Sequence, residues 1–154
     1  MTKPPPGDRG RLFHGPFDVA AGGGPDRLVL VMLVWTVVVR LPAMKAAGID
    51  IGQARGGRPG VLDGVVPERA QWPAHNYIHL MEQPTLFHAV AFVIHLTGTG
   101  EGLNATLAWA YVLLRVAHSV VQAAFNRIAV RFALFALSSL ALVALALHAL
   151  MAVF

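Results

Sequence analysis

The sequence predicts an all-α integral membrane protein, a four-helix bundle, and three observations carry that expectation. Hydrophobic residues make up 56% of the 154-residue chain, and the mean hydropathy of +0.60 is well above that of a soluble domain. Residues 132–154 run for 23 positions without Lys, Arg, Asp or Glu, which gives about 34 Å of helix at 1.5 Å per residue and is enough to cross a bilayer. Three further apolar stretches are separated by glycine- and proline-containing breaks, the usual punctuation between elements. Cysteine is absent, so disulfides, thiolate metal ligands and a protein thiol nucleophile are excluded. Thiol chemistry here requires a cosubstrate that brings the thiol. The net charge is +4, but the basic residues are scattered through hydrophobic sequence and form no run, so no nucleic-acid partner is expected.

Residues 1–25 hold Pro4-Pro5-Pro6 and Gly22-Gly23-Gly24-Pro25 and lack the pattern of a secretory signal. They read as a flexible tail before a membrane domain over 26–154. The first span is expected over about 27–47: Leu28–Val39 alone is too short, so it must continue through Arg40, with Pro42 kinking its last turns. Loop one, Gly48 to Gly64, carries six glycines with Asp50, Arg55, Arg58 and Asp63, which favours an exposed connection. A second span follows over about 75–97 with Pro84 inside it, a third over 103–126, and a fourth over 131–153. No internal repeat, heptad pattern or glycine-rich phosphate motif is present.

Orientation follows from Lys and Arg near the spans. Loop one and the 126–131 link carry Arg40, Lys45, Arg55, Arg58, Arg69, Arg127 and Arg131, whereas the middle connection and the C-terminus carry none. Both termini of a multi-pass membrane protein are therefore expected outside the cytoplasm.

Polar side chains inside spans are costly and by default mark a functional site. At 100° per residue His75, His79 and Glu82 fall at about 0°, 40° and −20°, one stripe of the second helix. Arg115, His118, Gln122 and Asn126 fall at about 0°, −60°, −20° and 20°, one stripe of the third. Both stripes, with Asn76, sit in the cytoplasmic half. Arg40, Arg127 and Arg131 lie at the neighbouring helix ends, while the other half holds only His95 and His148 deep in spans. Such convergence of Arg points to a cytoplasm-facing site for an anionic ligand. The alternative is a buried polar network that fixes helix register.

These motifs resemble those of a known family: Asn76 with Glu82-Gln83-Pro84-Thr85-Leu86-Phe87, then Arg115-Val116-Ala117-His118-Ser119 with Asn126-Arg127 and Arg131. The family is MAPEG, the membrane-associated proteins in eicosanoid and glutathione metabolism, particularly its bacterial members. The resemblance spans about Arg27 to Leu150. It implies a homotrimer of four-helix bundles with glutathione as cosubstrate between subunits near the cytoplasmic face. It further implies that Arg131 stabilises the thiolate as the catalytic residue, that Glu82 holds the glutathione amino group, and that Arg40 lies near the cosubstrate. Asn76, His79, Arg115, His118, Gln122, Asn126 and Arg127 complete the expected binding set. This chain departs from the family's pattern at His79, where Asn is common, and at His118 and Gln122, where Tyr is frequent.

Three functions are thus open. One is a glutathione-dependent transferase or peroxidase acting on a lipophilic electrophile from the bilayer. A second is a metal enzyme using His75, His79 and Glu82, with His118 as fourth ligand. The third is a non-enzymatic membrane protein that binds lipid or a partner, in which the polar stripes only hold subunits together.

Overall fold

The computed structural model describes residues 22–57 and 60–154; Arg58 and residues 1–21 of the expected tail lie outside them. Four helices follow in order: α1 Gly22–Ala46, α2 Glu68–Leu96, α3 Leu103–Val120 and α4 Ile128–Val153, with α3 running on into a π-helical turn, Val121–Phe125. No strand occurs among the described residues. Helix α1 takes in Gly22–Pro25, residues the sequence reading gave to the tail. Pro25 is tolerated there because the first-turn N–H groups have no intrahelical acceptor. Helix α2 begins at Glu68 rather than near His75, directly after Pro67.

Cross-helix contacts show the chain folding back at each connection. Residues near the end of α1 pack with Leu62, Val66 and Ala70, Met32 packs with Leu80, and Asp26 meets His88; α1 and α2 are antiparallel. On α3 and α4, Asn104 meets His148 and His118 lies beside Phe135, so this pair is antiparallel too. The main core joins α2, α3 and α4 through Phe87, Ile94, Ala108, Tyr111 and Leu145. Phe87 and Tyr111 stack with ring centroids 4.4 Å apart.

Three helices are long and apolar enough to cross a membrane: Gly23–Ala46, Leu103–Phe125 and Ile128–Val153. Their outer faces bear the exposed large hydrophobics such as Leu30, Val34, Val38, Leu140 and Leu147, as lipid contact requires. The second expected span, α2, is not among the three. Its apolar sequence is interrupted by Gln71, Asn76, His79, Glu82, Gln83 and His88, which lower its hydropathy while it packs along α1 and the core.

Loop one is exposed along most of its described length, as its glycines suggest, but its end is anchored against α1. Leu62 and Val66, four residues apart, are buried against Val39, Ala43, Met44 and Ile49. The buried Gln71 amide donates to the carbonyls of Leu62 and Val66, both at 3.3 Å. That spacing places two apolar side chains on one side of a turn, and the glycine content masked it.

Candidate functional site

Helix α3 presents the expected polar stripe to the bundle interior. Arg115 is 2% exposed, His118 4% and Gln122 1%, and Asn76 of α2 is fully buried. The π-helical turn sets the lower end of this stripe: the Asn126 N–H bonds to the Val121 carbonyl at 2.6 Å, and Asn126 closes the turn in the left-handed region at φ 49°. Asn tolerates that conformation better than most residues. An extra residue per turn is a common feature of functional helices, and here it leads directly to Arg131 on the first turns of α4. The Asn126 side-chain oxygen accepts a short hydrogen bond from Arg131 Nη1.

The buried polar groups are short of partners. Arg115 Nη2 donates to the His79 carbonyl at 3.0 Å, but Arg115 Nε and Nη1, both side-chain polar atoms of Asn76, Gln122 Oε1, His118 Nδ1, Ser119 Oγ and Arg131 Nε have none. Leaving such groups unpaired in a bundle costs about 1–3 kcal/mol each and more for charged ones. A cluster of this kind is expected to hold water or a polar ligand. His79 and His118 meet edge to face at 6.4 Å, and His118 is within electrostatic reach of Arg115 and Arg131. These side chains share one level of the bundle.

Other expected residues lie differently. His79 donates from Nδ1 to Glu82 Oε2 at 3.1 Å, with the two side chains 43% and 62% exposed. His75 is exposed as well, so His75 and Glu82 face out of the bundle, half-exposed His79 sits at its edge against His118, and Asn76 faces in. Arg40 is half-buried on α1 and makes no hydrogen bond or ion pair among the described residues. Arg127 is exposed as the N-cap of α4. The proposed metal set is not assembled: among the described residues no three His, Asp or Glu side chains are grouped to hold an ion.

Several groups escaped the sequence reading. Tyr111 is fully buried with its hydroxyl unpaired, one turn before Arg115. Gln83 Nε2 donates to Ser139 Oγ at 2.6 Å, tying α2 to α4. His88 and Asp26 lie 3.3 Å apart in the half expected to be nearly bare.

An all-helical fold in which three helices are long and apolar enough to cross a membrane defines a membrane protein, and its buried polar groups gather where α2, α3 and α4 meet. The MAPEG family profile matches residues 27–151, most of the chain, and the protein belongs to the MAPEG family. No curated protein and no solved structure matches the chain significantly.

Proposed function

We propose that the protein is a glutathione-dependent transferase or peroxidase that acts on a lipophilic electrophile entering from the bilayer. The observation that carries this reading is the set of buried, unpaired donors and acceptors on Arg115, Asn76, Gln122 and Arg131. Glutathione presents two carboxylates, an ammonium and amides, and the donor set fits it: guanidinium N–H groups for carboxylate, amide oxygens for N–H. The His79–Glu82 pair at the edge of the bundle leaves carboxylate oxygens to accept an ammonium. It also makes each protomer's site incomplete, since polar groups at bilayer depth require a cover. A neighbouring copy in a homotrimer supplies that cover, with both termini outside the cytoplasm of a bacterial inner membrane.

When bound, the cosubstrate supplies the thiol that the chain lacks. Lowering a thiol pKa from 8.5, where about 3% is ionised at pH 7, to about 6.5 takes roughly 2.7 kcal/mol of preferential thiolate stabilisation. Arg131 is the residue we assign to this. Asn126 holds one guanidinium N–H, and the buried Nε has no partner. A partly desolvated guanidinium supplies an interaction of that size. The apolar helix faces hold the electrophile.

The test is turnover by the lipid-reconstituted protein. Glutathione with a lipophilic aryl halide should give the thioether with release of halide and a proton, or two glutathiones with an organic hydroperoxide should give the alcohol, water and glutathione disulfide. Absence of both reactions above the lipid blank refutes the enzymatic reading.

A further inference from the structure

Toward the α2–α3 connection, away from Arg131, α1 and α2 meet at a polar contact that the glutathione reading does not use. His88 Nδ1 lies 2.6 Å from the Pro84 carbonyl, and a carbonyl only accepts, so Nδ1 carries the proton. In the neutral ring this leaves Nε2 as an acceptor. Nε2 is buried without a hydrogen-bond partner, and 3.3 Å from it is Asp26 Oδ1 of α1. A ring nitrogen and a carboxylate oxygen thus face each other across the α1–α2 contact, with the His88 and Asp26 side chains 36% and 70% exposed. Thr85 spends its hydroxyl proton on the Glu82 carbonyl at 2.5 Å, so its oxygen also presents lone pairs. These three residues line a groove of about 340 Å³ whose walls are Val29 and Leu30 of α1 with Leu80, Met81 and Pro84 of α2. That volume falls in the range of small-molecule pockets.

We propose that this groove binds a lipophilic primary ammonium compound. The alkyl chain lies along Val29, Leu30, Leu80 and Met81, and the ammonium donates to Asp26, His88 Nε2 and Thr85. An ammonium brings three donors and no acceptor, which complements an end built of acceptors. It also brings a positive charge to pair with the Asp26 carboxylate. An alcohol of the same length brings one donor and no charge, and a carboxylate is repelled.

The full-length protein, reconstituted in zwitterionic nanodiscs, is titrated with octylamine, octanol and octanoate. Bound ligand is read by native mass spectrometry, and the His88 ring by nitrogen NMR. Octylamine is expected to saturate and to bind at least about tenfold more tightly than octanol, the size of one charge-assisted hydrogen bond. Asp26→Asn should remove that preference, and Met81→Trp, which fills the groove without touching its polar end, should weaken octylamine by a similar factor. Equal binding of octylamine and octanol to the wild-type protein overturns the proposal, whether or not Asp26→Asn folds. Undiminished binding to Met81→Trp overturns it as well. A doubly protonated His88 ring that octylamine leaves unmoved shows that a proton alone bridges the pair. If octylamine binds only after Lys3, Arg9 and Arg11 are replaced by Gln, the chain's own cation is the occupant and the proposal fails.

Discussion

Replacing Arg115 with Met should separate ligand binding from folding, because the two effects have opposite signs. Arg115 is 2% exposed, forms no ion pair among the described residues, and satisfies only one of its donor groups, on the His79 carbonyl. Removing the guanidinium loses that bond, worth about 1.5–3 kcal/mol, and relieves the burial of two unpaired donors, at about 1–3 kcal/mol each. Buried charge without compensation is weak support for a fold, and Met fills similar volume. The ligand-free variant should therefore lie between about 1 kcal/mol less stable and about 4.5 kcal/mol more stable than the wild type. Binding of an anionic ligand should fall by two charge-assisted hydrogen bonds, about 3–6 kcal/mol, or roughly two to four decades in Kd. Thermal unfolding in nanodiscs gives the first quantity, and calorimetric titration of glutathione the second. A variant that melts well below the wild type yet keeps its glutathione affinity would show that Arg115 serves structure alone.

Other substitutions probe separate links. Arg131→Leu should abolish the ultraviolet thiolate absorbance of bound glutathione while the oligomer survives; a retained signal moves the thiolate role elsewhere. A cysteine at Gly57 should be shielded from an impermeant thiol reagent in intact cells and one at Gly100 should react, and the reverse pattern inverts the topology. A Cβ at Gly24 would lie 2.9 Å from Val112 Cγ1, so Gly24→Ala should loosen α1 from α3 by about 1–3 kcal/mol. Val112→Ala in the same chain should recover much of that loss, and purely additive effects in a double-mutant cycle would mean the contact is absent.

Much of the helical plan was legible because apolar length and glycine or proline breaks report it directly. The α3 stripe was legible as well: Arg115, His118 and Gln122 recur at helical spacing and all face the interior. The α2 stripe was equally periodic, yet His75 and Glu82 face outward and half-exposed His79 sits at the edge, since periodicity shows which residues share a face and not what that face meets. Asn76, one position off the stripe, is the buried one. The π-helical turn was not visible, because the i to i−5 bond at Asn126 has no composition signal. His88 and Asp26 were missed for another reason. Their pairing joins two helices, and Asp26 sits next to the Pro25 that marked the expected tail boundary.

The most direct test of the account is titration of glutathione into the wild-type protein in a preparation that keeps its lipid, followed by calorimetry and thiolate absorbance. The account predicts saturable binding to an oligomer, accompanied by a thiolate band at neutral pH. No heat and no band at saturating glutathione would contradict it, and would leave the buried cluster of Arg115, Asn76 and Gln122 as a structural network or the seat of a different ligand.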